Sequence, residues 1–328
     1  MRINRGIRML AVCMTLIAVL TVSGCSRQTM AGQKQIRIFL SLNEMDTFRQ
    51  TLVDAAMAKA AQEGVELVVE DAGGSIEAQV EQLKRAAAEE YDVILCSAVS
   101  TDTAVQLKLS AGDIPIVFFN SCPDDRYLEA GKYVYVGSDE AVAGQFQAEY
   151  VLQQLGSKSE INVVLVKGPR SHSATVGRTN GVKEALADSG KTVNYVFEDS
   201  ANWDMAQAKE LFALFLRTGV TADCVICNND AMALGIVEAA REAGIDFASL
   251  PILGVDATAD GCAAIKAGEM QFTVYQSGKG QGEAAVEMAI RLAGNGDPEE
   301  MEGISEDGKY VWVDFEKVDG SNVTQYRQ

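Results

Sequence analysis

One histidine, His172, serves the whole 328-residue chain, and no G-x-S-x-G turn occurs in it. A hydrolytic nucleophile needs a base and an orienting acid in fixed geometry. Ser171 and Ser173 beside His172 do not supply that arrangement, and no enzyme is expected. Basic residues are scarce. Against 46 Asp and Glu stand 28 Lys and Arg, a formal net charge of −18. A surface that acidic repels nucleic acid and anionic lipid alike, so no nucleic-acid partner is expected. Phosphate loops are missing too. Gly190-Lys191-Thr192 has Ala185 where the upstream glycine belongs and leads into a strand, while Gly278-Lys279-Gly280-Gln281-Gly282 lacks dinucleotide spacing and reads as a helix start. No repeat of 20 to 50 residues is visible.

No apolar run reaches the roughly 20 residues of a membrane-spanning helix. Met9 to Val22 is shorter, follows Arg2, Arg5 and Arg8, and ends in Val22-Ser23-Gly24-Cys25. That is a signal peptide over residues 1–24 closing on a lipobox-like cysteine, which predicts lipidation of Cys25 and a polar tether over 25–35. Loss of the three arginines takes the net charge to −21. Of seven cysteines, Cys96, Cys122, Cys224, Cys227 and Cys262 then remain, and an odd number does not suggest a disulfide framework. Cys224 and Cys227 lie in an apolar run, where a spacing of three on a strand sends them to opposite faces, as core rather than as a redox or zinc pair.

Short apolar runs alternate with helical patterns along the rest of the chain. Strands are predicted over 36–42, 65–70, 93–97, 116–120 and 133–137. A second series follows over 161–167, 193–198, 224–227, 252–255 and 272–276, with a closing strand over 310–315. Such alternation predicts an α/β fold of two Rossmann-like, doubly wound parallel-sheet lobes. About 304 residues after the leader fit two lobes. The N-terminal lobe is expected over 36–138 plus 277–306, and the C-terminal lobe over 139–276 plus 307–328. The acidic stretch 297–307 reads as a solvated loop.

Ligands of open parallel sheets bind outside the carboxyl ends of the strands. The residues at those ends are Asp46, Phe48, Asn120, His172, Arg178, Trp203, Asn229, Asp256 and Gln276. Carboxylates accept, arginine donates, and amides do both in a fixed plane, which suits the hydroxyls of a neutral polyol. Phe48 and Trp203 offer rings to the apolar C–H faces of a pyranose. No metal or cofactor is implied by this set.

Six separated segments carry a family resemblance: Ile114-Pro115-Ile116-Val117-Phe118-Phe119-Asn120, Tyr135-Val136-Gly137-Ser138-Asp139, Val166-Lys167-Gly168 with His172 and Arg178, Asn202-Trp203-Asp204-Met205, Asn228-Asn229-Asp230-Ala231, and Gly254-Val255-Asp256-Ala257. From about Arg37 onward the chain resembles the galactose/glucose-binding branch of the periplasmic sugar-binding proteins. The resemblance implies two lobes joined by a three-segment hinge (periplasmic binding protein type I). It implies hydrogen bonding to a monosaccharide by Asp46, Asn120, His172, Arg178, Asn229 and Asp256, and stacking by Phe48 and Trp203. It also implies an ABC permease as partner, sometimes with a chemoreceptor. A receptor module for a sugar or autoinducer-type signal is the alternative.

Three departures bear on the ligand. Ala174 stands where the branch carries a sugar-binding aspartate, Gln276 resembles the ribose-binding branch, and Leu42 or Asn43 lies where a tyrosine is usual. Gly156-Ser157-Lys158-Ser159-Glu160 also lacks the alternating oxygens of the family's calcium loop.

Overall fold

The computed structural model describes residues 35–170 and 172–326; the expected signal peptide, Cys25 and the start of the tether lie outside them. The chain alternates strand and helix from the outset: β1 (Arg37–Leu42), α1 (Thr47–Glu63), β2 (Glu66–Asp71), α2 (Ile76–Ala88), β3 (Val93–Cys96), α3 (Ala104–Ala111), β4 (Ile116–Phe119) and β5 (Tyr133–Gly137). A second series repeats the pattern: α4 (Glu140–Gln154), β6 (Glu160–Lys167), α5 (Ser173–Ala187), β7 (Thr192–Ser200), α6 (Met205–Arg217), β8 (Cys224–Cys227), α7 (Asp230–Glu242), β9 (Ile252–Leu253), α8 (Ala259–Ala267) and β10 (Phe272–Tyr275). Then follow α9 (Gly278–Leu292), β11 (Tyr310–Trp312) and β12 (Glu316–Asp319).

Two six-stranded sheets result, ordered β11-β5-β4-β3-β1-β2 and β12-β10-β9-β8-β6-β7. All pairings are parallel except β10 with β12. The central strands read as unbroken apolar runs because helices cover both faces; β3, β4 and β8 are buried throughout. Each sheet therefore separates two cores. In the second lobe Cys227 packs on one side with Phe212, Met232 and Ile236, and Cys224 on the other with Val182, Leu253 and Phe272. The two sulfurs lie on opposite faces, and all five described cysteines are free.

The chain passes between lobes three times: between β5 and α4, between β10 and α9, and between β11 and β12. Helix α9 packs Ala285, Val286 and Ala289 into the first lobe with Leu52 and Ala56 of α1. The last crossing corrects the sequence reading. Residues 307–328 do not all join the C-terminal lobe, and 310–315 is not one strand. Tyr310–Trp312 pairs with β5 in the first sheet, and only Glu316–Asp319 pairs with β10 in the second. Aromatic packing decides this: the rings of Tyr310 and Trp312 stack with centroids 4.9 Å apart, both meet Tyr135 edge-on, and Val311 enters the first core. Phe315, three residues later, is already in the second core.

Contacts also bridge the open edge of the cleft. The Cys122 backbone N–H donates to Ser173 Oγ at 3.0 Å, and Ser121 Oγ lies 3.5 Å from His172 Nε2. The lobes are thus in a closed arrangement.

Candidate functional site

Strand ends and helix starts build the site together. Asp46, His172 and Asn229 are the N-caps of α1, α5 and α7: Asp46 Oδ1 accepts from Arg49 N at 2.7 Å, His172 Nδ1 from Ala174 N at 3.2 Å, and Asn229 Oδ1 from Met232 N at 3.0 Å. A cap satisfies one of the helix's unpaired N–H groups. It also fixes the side chain at the sheet's carboxyl edge, beside the cleft. Three further site residues sit in the left-handed region, Asn120 at φ 60°, Trp203 at φ 65° and Asp256 at φ 115°. Such positions cost of order 1–3 kcal/mol each and persist where surrounding structure enforces them, commonly at ligand sites. At Asp256 the ladder does so: Asp256 N donates to Val274 O at 2.8 Å, beyond the end of β9.

All nine residues proposed from sequence line one cavity of about 360 Å³ between the lobes, together with Arg49 and Ala174. Phe48 belongs to the first lobe's core and Trp203 to the second's, so the two rings approach from opposite lobes. Trp203 fits because residue 168 is glycine; a Cβ there would lie 2.3 Å from the indole. His172 meets that indole edge-on at 5.4 Å.

Arg178 organises the floor. It is 3% exposed. Its Nε donates to Glu140 at 2.6 Å, one terminal nitrogen to the Asn228 carbonyl at 2.7 Å and the other to Gln276 Oε1 at 3.1 Å; Asp256 lies 3.6 Å away. Because Arg178 holds Gln276 by its oxygen, the Gln276 Nε2 amide is left as an unpartnered, buried donor on the cavity wall. Helices α4 and α5 come close enough for the Glu140 contact through glycines: a Cβ on Gly144 would lie 2.1 Å from the Arg178 carbonyl oxygen, and one on Gly181 2.1 Å from that of Ala141.

Burial sets the charge states. It pushes the Asp256 carboxyl well above the usual range, against the pull of Arg178 and reinforced by Asp230, Asp46 and Glu140. Burial also raises Glu140, opposed by Arg178, and pushes Asp230 up to about 6 despite hydrogen bonds from Thr273 and Thr258. His172 is pushed down to about 3 by burial and by Arg49 and Arg178. It is therefore neutral at physiological pH, one ring nitrogen committed to its cap.

Three contributors escaped the sequence reading. Arg49 stands one turn after Asp46, to which it is salt-bridged at 2.5 Å; the i, i+3 spacing was the available signal. Glu140 and Asp230 lie behind the cavity. Asp230 accepts from Thr258 N and Oγ1 and from Thr273 Oγ1, tying the start of α7 to the loop that carries Asp256. Each follows a residue already singled out, Asp139 and Asn229.

Known proteins share this fold. The family model described as "Periplasmic binding protein domain" matches residues 38–297. The chain belongs to that family. It is a substrate-binding protein, not an enzyme, and its place is extracytoplasmic. A Rhizobium meliloti protein named for rhizopine binding is 32% identical over 87% of this chain and 86% of its own length. A D-galactose/methyl-galactoside binding periplasmic protein of Haemophilus influenzae is 34% identical over 57% of this chain and 59% of its own. Among solved structures, an ABC transporter solute binding protein from Bacillus halodurans C-125 with bound myo-inositol superposes with a TM-score of 0.80 at 28% identity, covering 90% of this chain and 98% of that one.

Proposed function

We propose that this periplasmic binding protein, a sugar-binding component of an ABC importer, holds one cyclic polyol, a monosaccharide or cyclitol, between Phe48 and Trp203. The observation that carries this reading is the cavity itself, which aromatic rings from opposite lobes line together with acceptors and donors. A pyranose or an inositol presents hydroxyls around its edge and C–H groups on its faces, which is the complement of that wall. Asp46, Asn120, Asn229 and Asp256 would bond hydroxyls, with Arg178 and the free Gln276 amide as donors. Relatives named for galactoside binding or solved with myo-inositol support the class. Ala174 and Gln276 speak against a galactose/glucose pocket carried over unchanged, because Ala174 on the cavity wall leaves one hydroxyl without a side-chain partner.

Binding favours closure because ligand contacts on both lobes exist together only when the lobes meet; the closed form is the state a permease would recognise. Anchoring by a lipid on Cys25 belongs to the same proposal and rests on Val22-Ser23-Gly24-Cys25. Mass spectrometry of the membrane-bound protein would find the cysteine diacylated, and Cys25→Ala would release an unlipidated form. The ligand test is calorimetry with galactose, glucose and myo-inositol on the wild type and on Asp256→Asn. The expected result is one-to-one binding of at least one, weakened at least tenfold by the substitution. Equal affinity in both would remove Asp256 from the site, and silence across the panel would defeat the polyol reading.

A further inference from the structure

The cleft does not end at the polyol site. Arg49, His172 and Trp203 also line a second chamber, with an empty volume of about 660 Å³ against about 360 Å³ for the first. Those three side chains are all that the two chambers share. The far wall of the second is made by the residues that follow β1 and β3, chiefly Asn43, Glu44 and Ser100. It is a furnished wall. Asn43 is 7% exposed, and its Oδ1 accepts from Ser97 Oγ at 3.2 Å, while its amide nitrogen donates to no described residue. Glu44 forms no hydrogen bond or ion pair with any described residue, and its carboxylate lies beside Gly74, 3.7 Å from where a Cβ would stand. An unspent donor, on a residue that is itself largely buried, and an unspent acceptor on one wall complement hydroxyl groups, each of which both donates and accepts.

We infer that the second chamber is an extension subsite: the polyol ring between Phe48 and Trp203 is accepted with a further hydroxylated group attached, a second sugar ring or a short polyol chain, which passes Arg49 and His172 to reach Asn43 and Glu44. This rests on the polyol reading above and narrows its ligand from a bare monosaccharide to a glycoside of disaccharide size. Volume agrees. The second chamber is the roomier of the two, with space beyond the ring held between Phe48 and Trp203 for a further group. Arg49 is the side chain best placed to read the junction. It is 9% exposed, is held by Asp46, keeps an unpartnered Nε, and borders both chambers.

The test is calorimetry with glucose, galactose and myo-inositol beside their extended forms: glucose disaccharides linked through each hydroxyl in turn, and galactosyl-myo-inositol. At least one extended form should bind within tenfold of its parent ring. Ser100→Phe, which fills the chamber and removes no capping hydrogen bond, should weaken that form at least tenfold and leave the parent ring within twofold. Glu44→Ala, at an exposed position, should weaken the same form at least threefold without touching the parent, which keeps the test available should Ser100→Phe not fold. The subsite is refuted if parent rings bind and every extended form is more than tenfold weaker, or if the variants alter ring and extended form alike. If no ring and no extended form binds, the polyol reading falls, and the subsite with it.

Discussion

Replacing Arg178 by methionine isolates the charge balance beneath the site. The guanidinium is buried with Glu140 at 2.6 Å and Asp256 at 3.6 Å, so its loss leaves two buried carboxylates without their countercharge. Removing one partner of a buried pair typically costs about 3–5 kcal/mol, most of it the penalty of the stranded charge. In a cooperative unit of 150–250 residues, about 3 kcal/mol corresponds to a fall in Tm of roughly 6–12 °C. The assay is thermal unfolding of ligand-free protein followed by circular dichroism. Two controls separate stranded charge from lost packing. Arg178→Met/Glu140→Gln should recover at least half of the deficit, because the nearest carboxylate is then neutral. The deficit should also shrink on acidification. Burial already holds Glu140 and Asp256 above their unfolded values; a folded state that takes up protons more readily than the unfolded one gains stability as pH falls, and without Arg178 that uptake grows. A single-variant loss under about 1 kcal/mol, or a deficit identical at pH 5 and pH 8, would refute the reasoning.

Gly168→Ala should displace the Trp203 indole, since the new methyl would stand 2.3 Å from it; tryptophan emission should shift and polyol affinity fall at least tenfold while the protein stays folded. Gly181→Ala forces α5 from the Ala141 carbonyl, 2.1 Å from the added Cβ, and should lower stability in urea by about 1–3 kcal/mol. Asp230 should titrate near 6 by carbon NMR of labelled aspartate. Because its folded value is raised, its contribution to stability is greatest below about pH 4 and is lost as pH rises through 6, a change of about 3 kcal/mol; stability that rose with pH across that window on account of Asp230 would contradict its assignment. Affinity should not change between pH 5 and 8 through His172, which is held at about 3; a histidine titration near 6.5 by proton NMR would contradict its burial.

The two-lobed architecture was legible because parallel strands buried on both faces write themselves as short apolar runs, and the residues just beyond those runs fall at the sheet's ligand edge. That rule alone reached Asp46, His172 and Asn229, which turn out to be helix caps. It failed where packing, not pattern, decides. Tyr310 to Phe315 reads as one largely apolar strand in sequence, broken only by Asp314, yet it serves both lobes because Tyr310 and Trp312 stack on each other and meet Tyr135 edge-on while Phe315 turns to the other core. Arg49, Glu140 and Asp230 were hidden for a related reason. A charged residue in a helix's first turn reads as solvated or capping, and only packing makes these groups part of the site: α4 on α5 for Glu140, α7 against the Asp256 loop for Asp230, and the cavity wall that Arg49 shares with Asp46.

The most direct test of the central claim, a polyol gripped by both lobes at once, is thermal unfolding of the wild type, Phe48→Ala and Trp203→Ala against the same polyol, since a ligand that binds only the folded state raises the transition temperature by mass action. The account predicts a clear rise for the wild type and a greatly reduced one for both variants, one from each lobe. A rise lost in only one of them would place the ligand on a single lobe and contradict it.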